Sequence, residues 1–149
     1  MNTQTQQSAK SYFNLHTQGI GYLNDIREVE LKKGGKYLSC RIAALTGESS
    51  KPEYRYFDCN VNGAEAEKLI RKCEQAVNGK RKVLISFVLA DLWTDTFTYA
   101  KDSEWHKKGD VGVSLKARLI RVKSIKIDGE LKYQEPKPTE TPAQAESVN

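Results

Sequence analysis

Aromatic rings and cations are interleaved in this chain at a spacing suited to gripping a polyanion. Arg55 stands between Tyr54 and Tyr56, while Lys33, Lys36 and Arg41 bracket Tyr37. Further on come Trp93, Phe97, Tyr99 and Trp105, with Lys107 and Lys108 close behind the second tryptophan. Lys116 and Arg118 open a basic run that continues through Arg121, Lys123 and Lys126 with no acid among them. A single strand of nucleic acid requires both ingredients. Its bases stack on flat rings, at ~1–3 kcal/mol per base, and its phosphates follow cations. These residues are therefore candidates for nucleic-acid contact.

Bond-making chemistry finds no comparable support. The chain has no GxxxxGK[ST], GxSxG or HExxH motif and no zinc-ligand spacing. Asp91 and Asp95 stand four residues apart in an extended segment, roughly 13 Å at the strand rise, too far for one metal or one acid–base pair. His16 and His106 are far apart in sequence. Cys40, Cys59 and Cys73 form no CxxC pair and read as small buried thiols. The expectation is a protein that is not an enzyme, with no metal and no cofactor.

The elements that must carry the rings follow from hydrophobic periodicity. From Gly21 to Leu31, Leu23, Ile26, Val29 and Leu31 recur unevenly among polar residues, as in a long bent strand with a bulge. Lys32 to Lys36 is a turn with two glycines. From Tyr37 to Leu45, Leu38, Cys40, Ile42 and Ala44 share one face and Tyr37, Ser39, Arg41 and Ala43 the other. From Tyr54 to Val61, Phe57, Cys59 and Val61 point inward and Tyr54, Tyr56, Asp58 and Asn60 outward.

At Asn62 the period changes. Leu69, Ile70, Cys73 and Val77 form one helical stripe, with Asn62 as the expected N-cap and Asn78-Gly79 as the stop, giving one helix of about four turns. The run VLISFVLADL from Val83 to Leu92 reads as a central strand, extended onward to Tyr99. Residues 100–110 are a charged loop. Val111 to Val122 is a further strand with Val113, Leu115, Ala117 and Leu119 expected inside, and Asp128-Gly129 turns a terminal hairpin.

Three strands, a helix and two strands define the fold class: all-β with one helix, a five-stranded Greek-key OB-fold barrel with the helix between strands 3 and 4. The barrel is expected over residues 12–133, between disordered segments 1–11 and 134–149; the latter holds three of the four prolines and no aromatic. At 149 residues there is room for one such domain. Net charge is +5. Lys10 is the only charge before Tyr12 and the residues after Tyr133 sum to −2, which leaves the body at +6, a balance that mildly favours a polyanion. The opening residues lack a basic, apolar leader, and no run approaches the ~20 apolar residues of a membrane span. The expected location is the cytoplasm, with no membrane partner.

The segments FNLHTQGIGYLNDIREVE, LSCRIAALTG, YRYFDCNVNGAEAEKLI, VLISFVLADLWTDTFTY and GVSLKARLIRVKSIKIDGEL together resemble a family of uncharacterised bacterial proteins. These are encoded on integrative and conjugative elements and genomic islands and are usually labelled replication proteins of those elements. The likeness covers roughly residues 12–133 and implies a role in DNA maintenance or transfer, without defined binding residues. The layout is also similar to bacterial single-stranded DNA-binding proteins. Those end in an acidic tip closing in Pro-Phe, whereas this chain closes Ala-Glu-Ser-Val-Asn, so recruitment through the tail is not carried over.

The expected function is sequence-tolerant binding of single-stranded DNA in support of a mobile element. RNA is left open because stacking is indifferent to the 2′-OH. The alternative is an OB-fold module that docks a replication or conjugation protein. Exposed strand edges also suit a homo-oligomer.

Overall fold

A computed structural model describes residues 10–136. Its elements are β1 (His16–Glu30), β2 (Lys36–Thr46), β3 (Glu53–Val61), α1 (Ala64–Lys72), α2 (Glu74–Asn78), β4 (Val83–Thr98), β5 (Val111–Ile127) and β6 (Glu130–Gln134). The strands are ordered β3-β2-β1-β4-β5-β6, and a further pairing of β3 with β5 joins the ends. Five strands thus close into an OB-fold barrel, and β6 adds to β5 as a sixth.

The alternation in sequence becomes the inside and outside of the barrel. Leu38, Cys40 and Ile42 of β2, Cys59 and Val61 of β3, and Val83, Ile85, Phe87 and Leu89 of β4 are all buried. Ala117, Leu119, Val122 and Ile125 of β5 join them. A fully buried Phe or Leu contributes about 1.5–3 kcal/mol, so this inward set is what holds the barrel. The helices close one side of it: Ala66, Leu69, Ile70, Cys73 and Ala76 pack into the same core.

β1 serves both halves of the barrel. Its first part pairs antiparallel with β4, from His16 opposite Ala90 to Tyr22 opposite Leu84. Its second part pairs with β2, with a register shift between Asn24 and Arg27 where Asp25 adopts φ 54°. This is the expected bent, bulged strand, begun five residues earlier than Gly21. The residues His16–Ile20 hold one large apolar side chain, so their pairing leaves no alternation to read. Where β1 passes from one partner to the other, Gly21 lies so close to β2 that a Cβ would stand 2.5 Å from the Ala43 oxygen and 2.7 Å from the Ala44 Cα.

Several expectations are corrected. The single helix is two short ones broken at Cys73, whose φ and ψ of −87° and −5° end α1. Asn62 does not cap it: Gly63 occupies the cap position at φ 98° with no side-chain bond, and the Asn62 N–H donates instead to the Leu119 carbonyl. Val113 and Leu115 are not core residues but are 64% and 36% exposed. The cause is that β4 and β5 run on past the barrel as a free two-stranded arm, Asp95–Thr98 against Val111–Ser114, while Leu115 stands at the last rung of the barrel, opposite Phe57. The terminal hairpin is present. Asp128 and Gly129 both take positive φ, 51° and 85°, as a type I′ turn requires, and β6 extends through Gln134. Of the segments expected to be disordered, 1–11 and 134–149, residues 1–9 and 137–149 lie outside the described residues, as does the tail-end comparison, while Gln134 belongs to β6.

Because the neighbours at Gly21 are backbone atoms, a methyl group there cannot be accommodated by a rotamer change. Gly21→Ala is expected to destabilise the fold by roughly 1–3 kcal/mol, the usual range for overpacking, read as a lowered midpoint in urea unfolding. An unchanged midpoint would mean that β1 and β2 are not held at this separation.

Candidate nucleic-acid interface

The outer face of the barrel is ordered in lateral rows, because each strand's register fixes which side chains stand abreast. One row runs Asn24, Arg41, Asp58, Lys116, Trp93 across β1, β2, β3, β5 and β4. The next runs Arg27, Ser39, Asn60, Arg118, Ala90 and returns to β1 at His16. On the other side of the first row, Tyr22, Ala43 and Tyr56 stand abreast.

Asp58 is the hub. It accepts from Arg27 Nη2 at 2.9 Å and from Lys116 Nζ at 2.8 Å, and so links β1, β3 and β5. Partial burial opposes ionisation of Asp58, but the hydrogen bonds from Lys116 and Arg27 outweigh it and hold the carboxyl below its ordinary range. Arg41 lies beside Asp58 in the row, yet among the described residues no carboxylate stands within ion-pair distance of it. Its guanidinium is exposed and free for another anion.

The tyrosines gather next to this hub. Tyr54 lies between Tyr22 and Tyr56, with ring centroids 6.5 Å and 6.3 Å away. Ala43, small and flanked by Tyr22 and Tyr56, is buried although it faces outward. The rings themselves stay open, Tyr54 43% and Tyr56 57% exposed.

The parallel pairing of β3 with β5 runs from Val61 opposite Leu119 to Phe57 opposite Leu115 and stops. Beyond it Glu53–Tyr56 and Val111–Ser114 form no ladder, and a cleft of about 310 Å³ opens there. Arg41, Tyr54, Arg55, Tyr56, Phe97 and Asp58 line it, together with Val113, Ser114 and Leu115 of the arm. Phe97 is set by Gly112 opposite it: a Cβ at Gly112 would fall 2.5 Å from Phe97 Cζ, so the ring lies over the glycine.

Five of the sequence candidates thus meet in one cleft: Arg41, Tyr54, Arg55, Tyr56 and Phe97. Arg55 also bonds the Tyr54 carbonyl and approaches Glu53 at 3.6 Å. Lys116 and Trp93 adjoin the cleft through the Asp58 row, and Trp93 is an exposed outer-face residue, 38% accessible. Arg118 is one row further and pairs with Asp91 at 3.1 Å.

The others stand apart. Tyr37 is half-buried, four residues up β2 from Arg41, and Lys33 and Lys36 are exposed at the β1–β2 turn, where Gly34 and Gly35 take φ 91° and 93°. Trp105, Lys107 and Lys108 sit on the loop closing the arm, roughly 20 Å beyond Trp93 at the strand rise. That loop is well tied: Ser103 Oγ accepts from the Trp105 and His106 N–H groups, Asp110 from Lys107 N–H, and Asp102 from Lys108 N–H. Tyr99 is half-buried and stacked on His106 with centroids 3.4 Å apart, so it supports the loop, while Trp105 is 85% exposed.

Tyr22, Arg27 and Asp58 take part in the site without having been singled out in the sequence. Asp58 follows the Tyr54-Arg55-Tyr56 motif at the same parity, which was the available signal. Arg27 gave none, because a bulge decides where it points. The basic run in β5 is less free than it reads: Arg121 is held by Glu135 at 2.7 and 2.8 Å and Lys123 bonds Gln18. The cysteines are free and buried, with burial pushing Cys59 up to about 12 and Cys73 to about 11, so their thiols stay protonated. Among the described residues no three His, Cys, Asp or Glu gather as metal ligands, and no helix is long and apolar enough to cross a membrane.

Fold and site together define an OB-fold barrel with an aromatic and cationic outer cleft. By sequence the chain belongs to the DUF3577 family, proteins of unknown function, whose profile matches residues 6–141. No curated protein matches the chain.

Asp58→Asn would leave Arg27 and Lys116 without their charge partner at the seam of the barrel, a loss of about 1–3 kcal/mol. Because the folded carboxyl is held low, the stabilisation is complete above the unfolded value of about 3.9 and fades as pH falls through the lower folded one. The gap in unfolding free energy between wild type and Asp58→Asn should therefore be constant near neutrality and shrink below about pH 4. A gap that is absent at pH 7 would contradict the role given to Asp58.

Proposed function

We propose that the protein binds single-stranded DNA without sequence preference, in support of replication or transfer of a mobile genetic element. It would do so in the cytoplasm and without catalysing a reaction. The observation that carries this reading is the cleft where β3 and β5 part, with Tyr54, Tyr56 and Phe97 beside the exposed Arg41, which has no carboxylate partner among the described residues. Bases stack on exposed rings regardless of identity, and phosphates exchange their counterions for the free guanidinium. Lys33, Lys36 and Tyr37 extend the surface along β2, and Trp93, Lys116 and Arg118 along β5 and β4. Trp105, Lys107 and Lys108 add a ring and two cations at the end of the arm. The tie to mobile elements rests on the resemblance of the quoted segments alone.

A second reading, docking of a replication or conjugation protein, draws on the uncharged cross-strand pairs of the arm, which reach the edge of the cleft at Val113 and Leu115. Thr94, Thr96 and Thr98 pair there with Leu115, Val113 and Val111, a surface without charge, with Val111 68% exposed. A second copy of this chain could use the same face. Light scattering of Val113→Asp beside wild type distinguishes these, since only a homo-oligomer loses mass.

Titration with a labelled dT oligonucleotide tests the main reading. Binding is expected at low salt, and four phosphate contacts would give a slope of log K against log salt of about −3. Tyr54→Ala and Tyr56→Ala should each weaken binding roughly five- to 150-fold, the equivalent of one stacked base. Absence of any binding at low salt would overturn the proposal.

A further inference from the structure

We infer that the bound strand continues from the cleft around the barrel to a second aromatic site formed by Tyr12 and Phe13; this rests on the proposed single-stranded DNA binding. Just before β1, Tyr12 and Phe13 are 79% and 100% exposed. They line a cavity of about 620 Å³ whose other walls include His16, Asn62, Asp91 and Arg118. Two neighbouring rings with this exposure contribute nothing to the core and offer flat faces to a base.

Continuity with the cleft is written in the strand register. Lys116 bonds Asp58 at the closed end of the cleft, and Arg118, two residues on along the same face of β5, lines the second cavity. The row Asn60, Arg118, Ala90, His16 then crosses from β3 to the start of β1 in three strand spacings, roughly 14 Å. Its side chains are polar, small or cationic, so a phosphate backbone meets no unpaired acid along it. Asp91 is the one acid there, and it is already engaged by Arg118.

That engagement has the form of a placeholder. Asp91 takes φ 58° at the register shift between Ala90 and Trp93, the bulge at which β4 leaves the barrel and becomes the arm. Bulges re-aim side chains, and this one sets a carboxylate against Arg118. Both groups are largely in water, 49% and 62% exposed, where ion pairs are weakly held. A phosphate can take the place of Asp91 on the guanidinium. Lys10, two residues before Tyr12 in the chain, is an exposed cation.

The test is the length dependence of binding. Wild type, a Tyr12→Ala/Phe13→Ala double variant and Asp91→Asn are titrated with dT oligonucleotides of about 6 and about 20 residues, on either side of the upper range for one OB fold. The double variant should bind the short oligonucleotide as wild type does and the long one at least tenfold more weakly. Asp91→Asn should bind the long one more tightly than wild type. If the double variant keeps the full gain from lengthening the strand, the second site is refuted while the cleft stands. If wild type binds neither oligonucleotide, the underlying reading fails, and the inference with it.

Discussion

The barrel is closed by a short parallel ladder between β3 and β5, from Phe57 opposite Leu115 to Val61 opposite Leu119. Parallel pairs are slightly weaker per residue than antiparallel ones, and this is the seam at which the sheet meets itself. Two things reinforce it. Inside, Cys59, Ala117 and Leu119 are completely buried. Outside, Asp58 holds Arg27 and Lys116 across the same rungs. Where the ladder ends the strands part, and the cleft is the space between them. Closure and cleft are therefore consequences of one register.

The same geometry sorts the cations. A carboxylate at the seam consumes two of them, Arg27 and Lys116, and Asp91 and Glu135 occupy Arg118 and Arg121. Arg41 remains beside the seam without a partner among the described residues. A net charge spread over the sequence thus becomes an exposed guanidinium next to three clustered tyrosines, with further lysines at the β1–β2 turn and the arm tip. Local arrangement, rather than the overall +5, is what favours a phosphate at the cleft.

Much of this was legible beforehand. Alternation in β2 and β3 put Tyr54, Tyr56 and Arg41 outside and Cys40, Ile42 and Cys59 inside, because a half-buried strand allows only one assignment of its two faces. The Asp128-Gly129 hairpin followed from turn chemistry. What failed did so where tertiary context overrides pattern. Val113 and Leu115 look like core residues, and nothing in sequence says that β5 begins outside the barrel. The helix breaks at Cys73 although its stripe is continuous. Tyr22 and Arg27 were invisible as site residues because the bulge at Asp25 sets where the second half of β1 points. Asp58 could be assigned to the correct face, but its two partners lie 31 and 58 residues away in sequence.

The central claim is that a nucleic-acid strand lies in the cleft between β3 and the β4–β5 arm. Photo-crosslinking with an oligonucleotide carrying 5-iododeoxyuridine, followed by peptide mass spectrometry, reads this at residue level. The account predicts adducts on Tyr54, Tyr56 and Phe97, lost when unlabelled dT competes. Adducts confined to α1, α2 or β6, or binding without any adduct on β3 and the arm, would contradict it.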